Sequence, residues 1–211
     1  MTKDLVIKIK GIYEKMAEEA KAANEQKGSI IKNAAYSDQG KAEQIAIIQA
    51  NLETSLHAKI EEINALLERI KKEESKRADE FSPEDTAFMN SCILLNMGAV
   101  PAEVAEKIFN SFKGRKQYLL VFKQILSVKE IPGVKIEKYI INTDDEINEI
   151  IDANGTIAKD LNSTVYKIVA CYKELIKITE ALGIWYVEYD RSLNVDVEKE
   201  LKAFAASVRG V

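Results

Sequence analysis

The feature that most constrains this chain is the spacing of its apolar residues, which recur every three or four positions over long stretches. This spacing follows the 3.6-residue turn of an α-helix. The turn-forming segment 36–41, YSDQGK, separates two such stretches, so the pattern predicts a long antiparallel helical hairpin over residues 1–80. The apolar stripe of the second arm contains Ile45, Ile48, Leu52, Leu56, Ile60, Ile63, Leu67 and Ile70.

Helix-breaking residues are scarce, with 3 prolines and 9 glycines in 211 residues. Several of them fall in the middle of the chain, where Gly98 and Gly114 end short apolar segments. Residues 81–130 are therefore predicted to form a compact module of short helices.

A third long helix is predicted over residues 144–182, which a capping box at 143–146, TDDE, would open. Its apolar face spans about half the helix circumference, and so wide a face requires several neighbours. We therefore predict an all-α fold, an elongated helical bundle in which region 131–211 packs with 1–80. The predicted core positions of this helix are Ile147, Ile151, Asn154, Ala158, Leu161, Val165, Ile168, Tyr172, Leu175, Thr179 and Leu182.

A minor β element is the alternative for three short segments. Residues 5–12 alternate in part, and residues 134–141 and 184–190 are rich in β-branched and aromatic side chains. The last two could pair as a two-stranded ribbon. A final short helix is predicted to carry Val197, Leu201, Phe204 and Val208.

Asn154-Gly155 is a strong turn dipeptide, yet the apolar register matches on both sides of it. A continuous helix through 153–156 is the favoured interpretation, and a hinge is the alternative. In the continuous helix, Asn154 would face the bundle and fix register or partner choice. A lone core asparagine of this kind lowers stability, so Asn154→Leu is expected to preserve or raise it.

The composition of the chain bears on its cellular location and on the kinds of partner it can bind. The net charge is −4 and the sequence pI is about 5.3, so nucleic acid is not attracted by the chain as a whole. Neither a secretion signal nor a membrane span is recognisable. The two cysteines, Cys92 and Cys171, fit buried free thiols. A cytoplasmic protein is expected.

Residues typical of catalysis or metal binding are few. His57 is the only histidine, and its neighbours in sequence form no nucleophilic triad. No phosphate-binding glycine loop is present, and the segment 152–156 fails the spacing of a calcium loop. We therefore expect no catalytic residue, no cofactor and no metal.

One basic segment stands out against the acidic chain. Residues 101–141 contain eight Lys and Arg against four Asp and Glu, and several of the basic residues lie beside Phe112, Tyr118 and Phe122. Such a patch can contact phosphates, although pairing with acidic neighbours is the favoured interpretation. The candidate anion or nucleic-acid contacts are Lys113, Arg115, Lys116 and Lys123, hereafter the basic patch.

Residues 92–109 resemble a helix-turn-helix in layout, with Gly98 in the turn and Ile93, Met97, Ala99 and Val104 at core positions. The layout is also similar to ubiquitin-associated-type modules. Glu103 and Glu106 would lie at the start of the recognition helix, where phosphates repel carboxylates. The resemblance thus implies a small helical module without implying DNA binding.

The favoured functional hypothesis is a non-enzymatic helical protein that binds a protein partner or itself. This class includes scaffolds and assembly or accessory factors, virion-type ones among them. One alternative is a nucleic-acid-associated protein that uses the basic patch. A second is an enzyme or small-ligand binder whose site is assembled from residues distant in sequence.

Overall fold

The computed structural model describes residues 2–78, 81–98, 100–140 and 142–182, and this part of the chain is all-α. The seven α-helices in it are α1 (Thr2–Lys32), α2 (Asp38–Ala78), α3 (Thr86–Asn96), α4 (Ala102–Ser111), α5 (Lys116–Val128), α6 (Thr143–Asn154) and α7 (Leu161–Ala181). Two short 3-10 helices lie at Ile136–Tyr139 and Ile157–Lys159. None of the described helices is long and apolar enough to cross a bilayer.

These residues divide into two compact units. Unit 1 contains residues 2–69 and 147–176, and unit 2 contains residues 70–146 and 177–182. The C-terminal ends of α2 and α7 thus belong to unit 2, whereas the rest of both helices belongs to unit 1.

Unit 1 is built on the predicted apolar stripes. The stripe residues of α1 from Leu5 to Ala23 are buried, as are those of α2 from Leu52 onward. Two ion pairs join these helices, Lys8 with Glu62 at 2.7 Å and Lys59 with Glu19 at 3.0 Å.

Unit 2 has an aromatic core. Rings of α3, α4, α5 and the 136–139 turn contact one another with centroid distances of 4.8–6.2 Å. Edge-to-face and offset ring contacts of this kind add to the hydrophobic stabilisation. The rings are those of Phe81, Phe88, Phe109, Phe112, Tyr118, Phe122 and Tyr139.

The predicted minor β element is wrong for the residues that the structure describes. Residues 5–12 lie inside α1, and residues 136–139 of the segment 134–141 form a 3-10 helix. Ile136 and Tyr139 are both buried in the aromatic core. Residues three apart share one face of a 3-10 helix, whereas they would point to opposite faces of a strand. Segment 184–190 and the predicted helix at 197–208 lie outside the described residues.

The predicted core positions of the helix-turn-helix layout lie at Ile93, Met97, Ala99 and Val104. Ala99 lies outside the described residues, and the prediction is wrong for Ile93, Met97 and Val104. Their side chains are 59%, 69% and 38% exposed, respectively. The core of unit 2 takes the opposite face of α3, with Phe88 and Leu95, because the large rings fill the space between α3 and α5.

The predicted single helix over residues 144–182 is interrupted just after Asn154. α6 ends at Asn154, residues 155–156 turn, and Asp160 is extended with φ −149° and ψ 114° before α7 begins. Gly155 weakens the helix locally because glycine costs about 1 kcal/mol relative to alanine in a helix interior. The Asp160 carboxylate then accepts a hydrogen bond of 3.1 Å from the backbone N–H of Asn162, as an N-cap does.

The interruption leaves the apolar register intact. Ile147, Asn154, Leu161, Ile168 and Leu175 are all buried, although they belong to two helices. The turn and the 3-10 helix at 157–159 therefore keep the buried positions of α6 and α7 at the same seven-residue spacing. A matching register on both sides of Asn154-Gly155 did not require a continuous helix.

The N-cap of α7 yields a stability prediction. Asp160→Ala removes the cap and is expected to lower the free energy of unfolding modestly, because the backbone N–H of Asn162 then loses its acceptor. Hydrogen bonds from Ser163 and Asn162 also hold the pKa of the Asp160 carboxyl below its usual value, so the loss should shrink as the pH falls through that pKa. Urea unfolding at pH 7 and at acidic pH measures both effects. Asp152→Ala, on the exposed side of α6, is the control, and an equal loss in both variants would contradict the capping role.

Candidate functional site

The described residues contain no grouping typical of a metal or nucleophilic centre. No cluster of three or more His, Cys, Asp and Glu side chains among them could hold a metal ion. His57 lies on the exposed surface of α2, with Nε2 3.3 Å from the Glu61 carboxylate. Cys171 is buried and Cys92 is half-buried, and both are free thiols.

The structure spreads the basic patch over α5 and the turn before it. Arg115 lies 3.6 Å from the Asp85 carboxylate, and Lys123 lies 3.4 Å from that of Glu137. The Lys113 ammonium lies 5.8 Å from the centre of the Tyr139 ring. Three of the four predicted cations thus have partners within unit 2.

Lys116 lines a small cleft in unit 2 with a volume of about 100 Å³. The N-terminus of α6 forms one wall through Asn142, Thr143 and Asp144, and Gly114 forms part of another. Gly114 has φ +76°, and a Cβ there would come within 2.6 Å of the Leu182 carbonyl oxygen. Glycine is therefore required for this close approach. The cleft is smaller than the 300–1,000 Å³ typical of a small-molecule site.

Asn154 lies at the centre of a buried hydrogen-bond network in unit 1. Its side chain is 0% exposed. The Tyr13 hydroxyl donates to Asn154 Oδ1 at 2.7 Å, and Asn154 Nδ2 donates to Asn64 Oδ1 at 2.8 Å. One amide thereby links α1, α2 and α6, and both its donor and its acceptor are used inside the protein.

The chain interruption after Asn154 is held by further side chains of α1 and α2. Gln49 Nε2 donates to the Ala158 carbonyl at 2.5 Å, and Asn24 Nδ2 donates to that of Leu161 at 3.3 Å. Ala158 lies in the interruption and Leu161 is the first residue of α7, so both hydrogen bonds hold the chain at the point where α7 begins. Side chains of α1 and α2 therefore both bind the chain at the interruption, a role that the sequence patterns of Gln49 and Asn24 did not reveal.

The outward face of α3 groups exposed apolar side chains on a helix without charged residues. α3 contains no charged residue, in a chain in which 30% of residues are charged. Met89 is 50% exposed, Ile93 59%, Leu94 43% and Met97 69%. Large apolar side chains grouped on one helix face mark interaction sites more often than scattered ones do. Sequence analysis missed this surface because it placed Ile93 and Met97 in the core.

Neither a protein-family model, a curated protein nor a solved structure matches this chain. The candidate sites therefore stand on the geometry of the chain itself.

The network around Asn154 reverses the expectation for Asn154→Leu. Leucine would leave the Tyr13 hydroxyl and the Asn64 amide without their partner, so the free energy of unfolding should fall by about 1–3 kcal/mol. Adding Tyr13→Phe should cost less than the sum of the two single changes, because the second change removes a group already stranded. Urea unfolding of the two single variants and the double variant measures the coupling. Strict additivity would contradict a direct interaction.

The buried thiol of Cys171 should make the free energy of unfolding fall at alkaline pH. Burial raises the pKa of its thiol from 9.0 to about 11, and burial also raises the pKa of the Tyr13 hydroxyl well above its usual value. The unfolded chain releases these protons first, so the stabilisation is complete below pH 9 and is lost as the pH rises toward 11. The thiol should account for about 2–3 kcal/mol of this loss. Cys171→Ala should flatten the pH dependence of urea unfolding between these limits, and an unchanged slope would contradict it.

Proposed function

We propose that this chain is a non-enzymatic helical protein that binds another protein chain through α3, as a scaffold or an assembly or accessory factor does. The observation that carries the proposal is the uncharged outward face of α3, hereafter the α3 face, formed by Met89, Ile93, Leu94 and Met97. Methionine adapts its shape to a partner surface, and aliphatic side chains contribute most by leaving water.

The second part of the proposal concerns the architecture of unit 1. We propose that α1 and α2 form an antiparallel hairpin and that the interrupted segment α6–α7 completes a helical bundle with it. In the pairs Lys8–Glu62 and Glu19–Lys59, the residue number falls along α2 as it rises along α1, which favours the antiparallel arrangement. The network of Asn154 with Tyr13 and Asn64 favours three helices around one core.

The alternative of nucleic-acid binding gains no support from the basic patch. Phosphate contacts require basic side chains that can exchange counterions for phosphate oxygens. Arg115 and Lys123 lie beside carboxylates, so binding would first separate these pairs. The small cleft beside Lys116 gives no support to a catalytic function either. We therefore propose neither nucleic-acid binding nor catalysis.

Site-specific photo-crosslinking tests the proposed function. Benzoylphenylalanine in place of Ile93 should give covalent adducts with a protein chain in native cells, and mass spectrometry should identify that chain. The same group in place of Ile47, which is 51% exposed on α2, is the matched control and should give no such adduct. Absence of any adduct at position 93, or equal adducts at both positions, would overturn the assignment of the α3 face.

A further inference from the structure

The α3 face has a partial internal symmetry that the proposed function does not require. In its sequence, MNSCILLNM over residues 89–97, the two outer pairs of residues around Ile93 are identical, whereas the two inner pairs, Ser91 with Leu95 and Cys92 with Leu94, differ. Met89 and Met97 lie four positions from Ile93, and Asn90 and Asn96 lie three positions from it. All five side chains are exposed. At 100° per residue, the two methionines and the two asparagines also flank Ile93 symmetrically around the helix axis.

We propose that the partner of the α3 face is a second copy of this chain, bound antiparallel about a two-fold axis at Ile93; this inference rests on the proposed function. In a two-fold interface, if one residue contacts a second, the second contacts the first. An antiparallel pair of α3 helices therefore places Met89 of one copy against Met97 of the other, and Ile93 against its own equivalent.

The two exposed asparagines beside the α3 face, Asn90 and Asn96, fit the same arrangement. Asn90 of one copy lies opposite Asn96 of the other, and an asparagine side chain carries both donors and an acceptor. Each pair can therefore form hydrogen bonds across the interface, so the asparagines need not lose their water contacts without compensation. A single partner helix of unrelated sequence would have to supply these groups separately at both ends.

The charges at the two ends of α3 are complementary in this pairing. Glu84 lies just before the N-terminal end of α3, and Lys129 lies beside its C-terminal end, where a Cβ on Gly98 would be 3.7 Å from Lys129 Cδ. Both residues are exposed, and neither forms an ion pair within the described residues. Antiparallel pairing brings Lys129 of one copy toward Glu84 of the other and also opposes the two helix dipoles.

The size of the α3 face predicts a weak dimer. A helix of 11 residues is about 16 Å long, so the buried area should remain below the roughly 1,200 Å² of a standard interface. The dissociation constant should therefore be on the order of micromolar or higher. The fraction of dimer should therefore rise with protein concentration over the micromolar range.

A charge exchange at Ile93 tests the two-fold axis. In Ile93→Glu and in Ile93→Lys, like charges would meet across the axis, so each variant alone should associate at least about tenfold more weakly than the wild type. An equimolar mixture of the two variants should regain association, because Glu of one copy then faces Lys of the other. Sedimentation velocity over a concentration series measures all three samples.

Ile47→Glu is the matched control, since Ile47 is exposed to a similar extent on α2 and should leave the association unchanged. Circular dichroism and thermal unfolding confirm that each variant folds. A wild-type chain that stays monomeric at every concentration, variants that associate normally, or a mixture that does not recover would each overturn the two-fold pairing. If the dimer fails but Ile93 still crosslinks to a different protein, the proposed function stands, and if no adduct forms, both fail.

Discussion

The side-chain amide of Asn154 is the polar group around which unit 1 is organised. It accepts a hydrogen bond from Tyr13 and donates one to Asn64, so three helices must keep one register to satisfy it. A buried amide without partners costs about 1–3 kcal/mol, a sizeable fraction of the stability of a domain. Any slip of α6 along α1 and α2 would incur this cost. The apolar residues around it supply most of the stabilisation, but they tolerate a slip more readily because hydrophobic contacts are not directional.

The interruption after Asn154 is also held by polar side chains of α1 and α2. Gln49 donates a hydrogen bond to the Ala158 carbonyl within the interruption, and Asn24 donates one to the carbonyl of Leu161, the first residue of α7. Asp160 restarts the helix. The interruption thus forms hydrogen bonds with α1 and α2. The apolar residues of α6 and α7 nevertheless keep one register.

The two units differ in what they leave at the surface. α1 and α2 carry charged residues along their outward faces, as Lys8–Glu62 and His57–Glu61 illustrate, whereas α3 has none. Uncharged apolar side chains are only weakly hydrated. A protein partner can therefore cover the α3 face without the large desolvation free energy that burying charged side chains would cost. The proposed role of the α3 face rests on this contrast, and the symmetric placement of its methionines and asparagines is the basis for proposing a second copy as the partner.

The sequence by itself determined the helical class, the buried stripes of α1 and α2, the buried position of Asn154 and the core positions on both sides of it. These follow from residue periodicity, which each helix carries alone. Only the tertiary structure decided that the chain is interrupted after Asn154, that Asn154 is fully partnered, and that α3 turns Phe88 inward and Ile93 outward. The physical reason is that α3 carries large apolar residues on more than one side and no charged residue, so its periodicity does not select a buried face. The choice depends on which side fits the rings of α4 and α5, and that is a property of packing between elements distant in sequence.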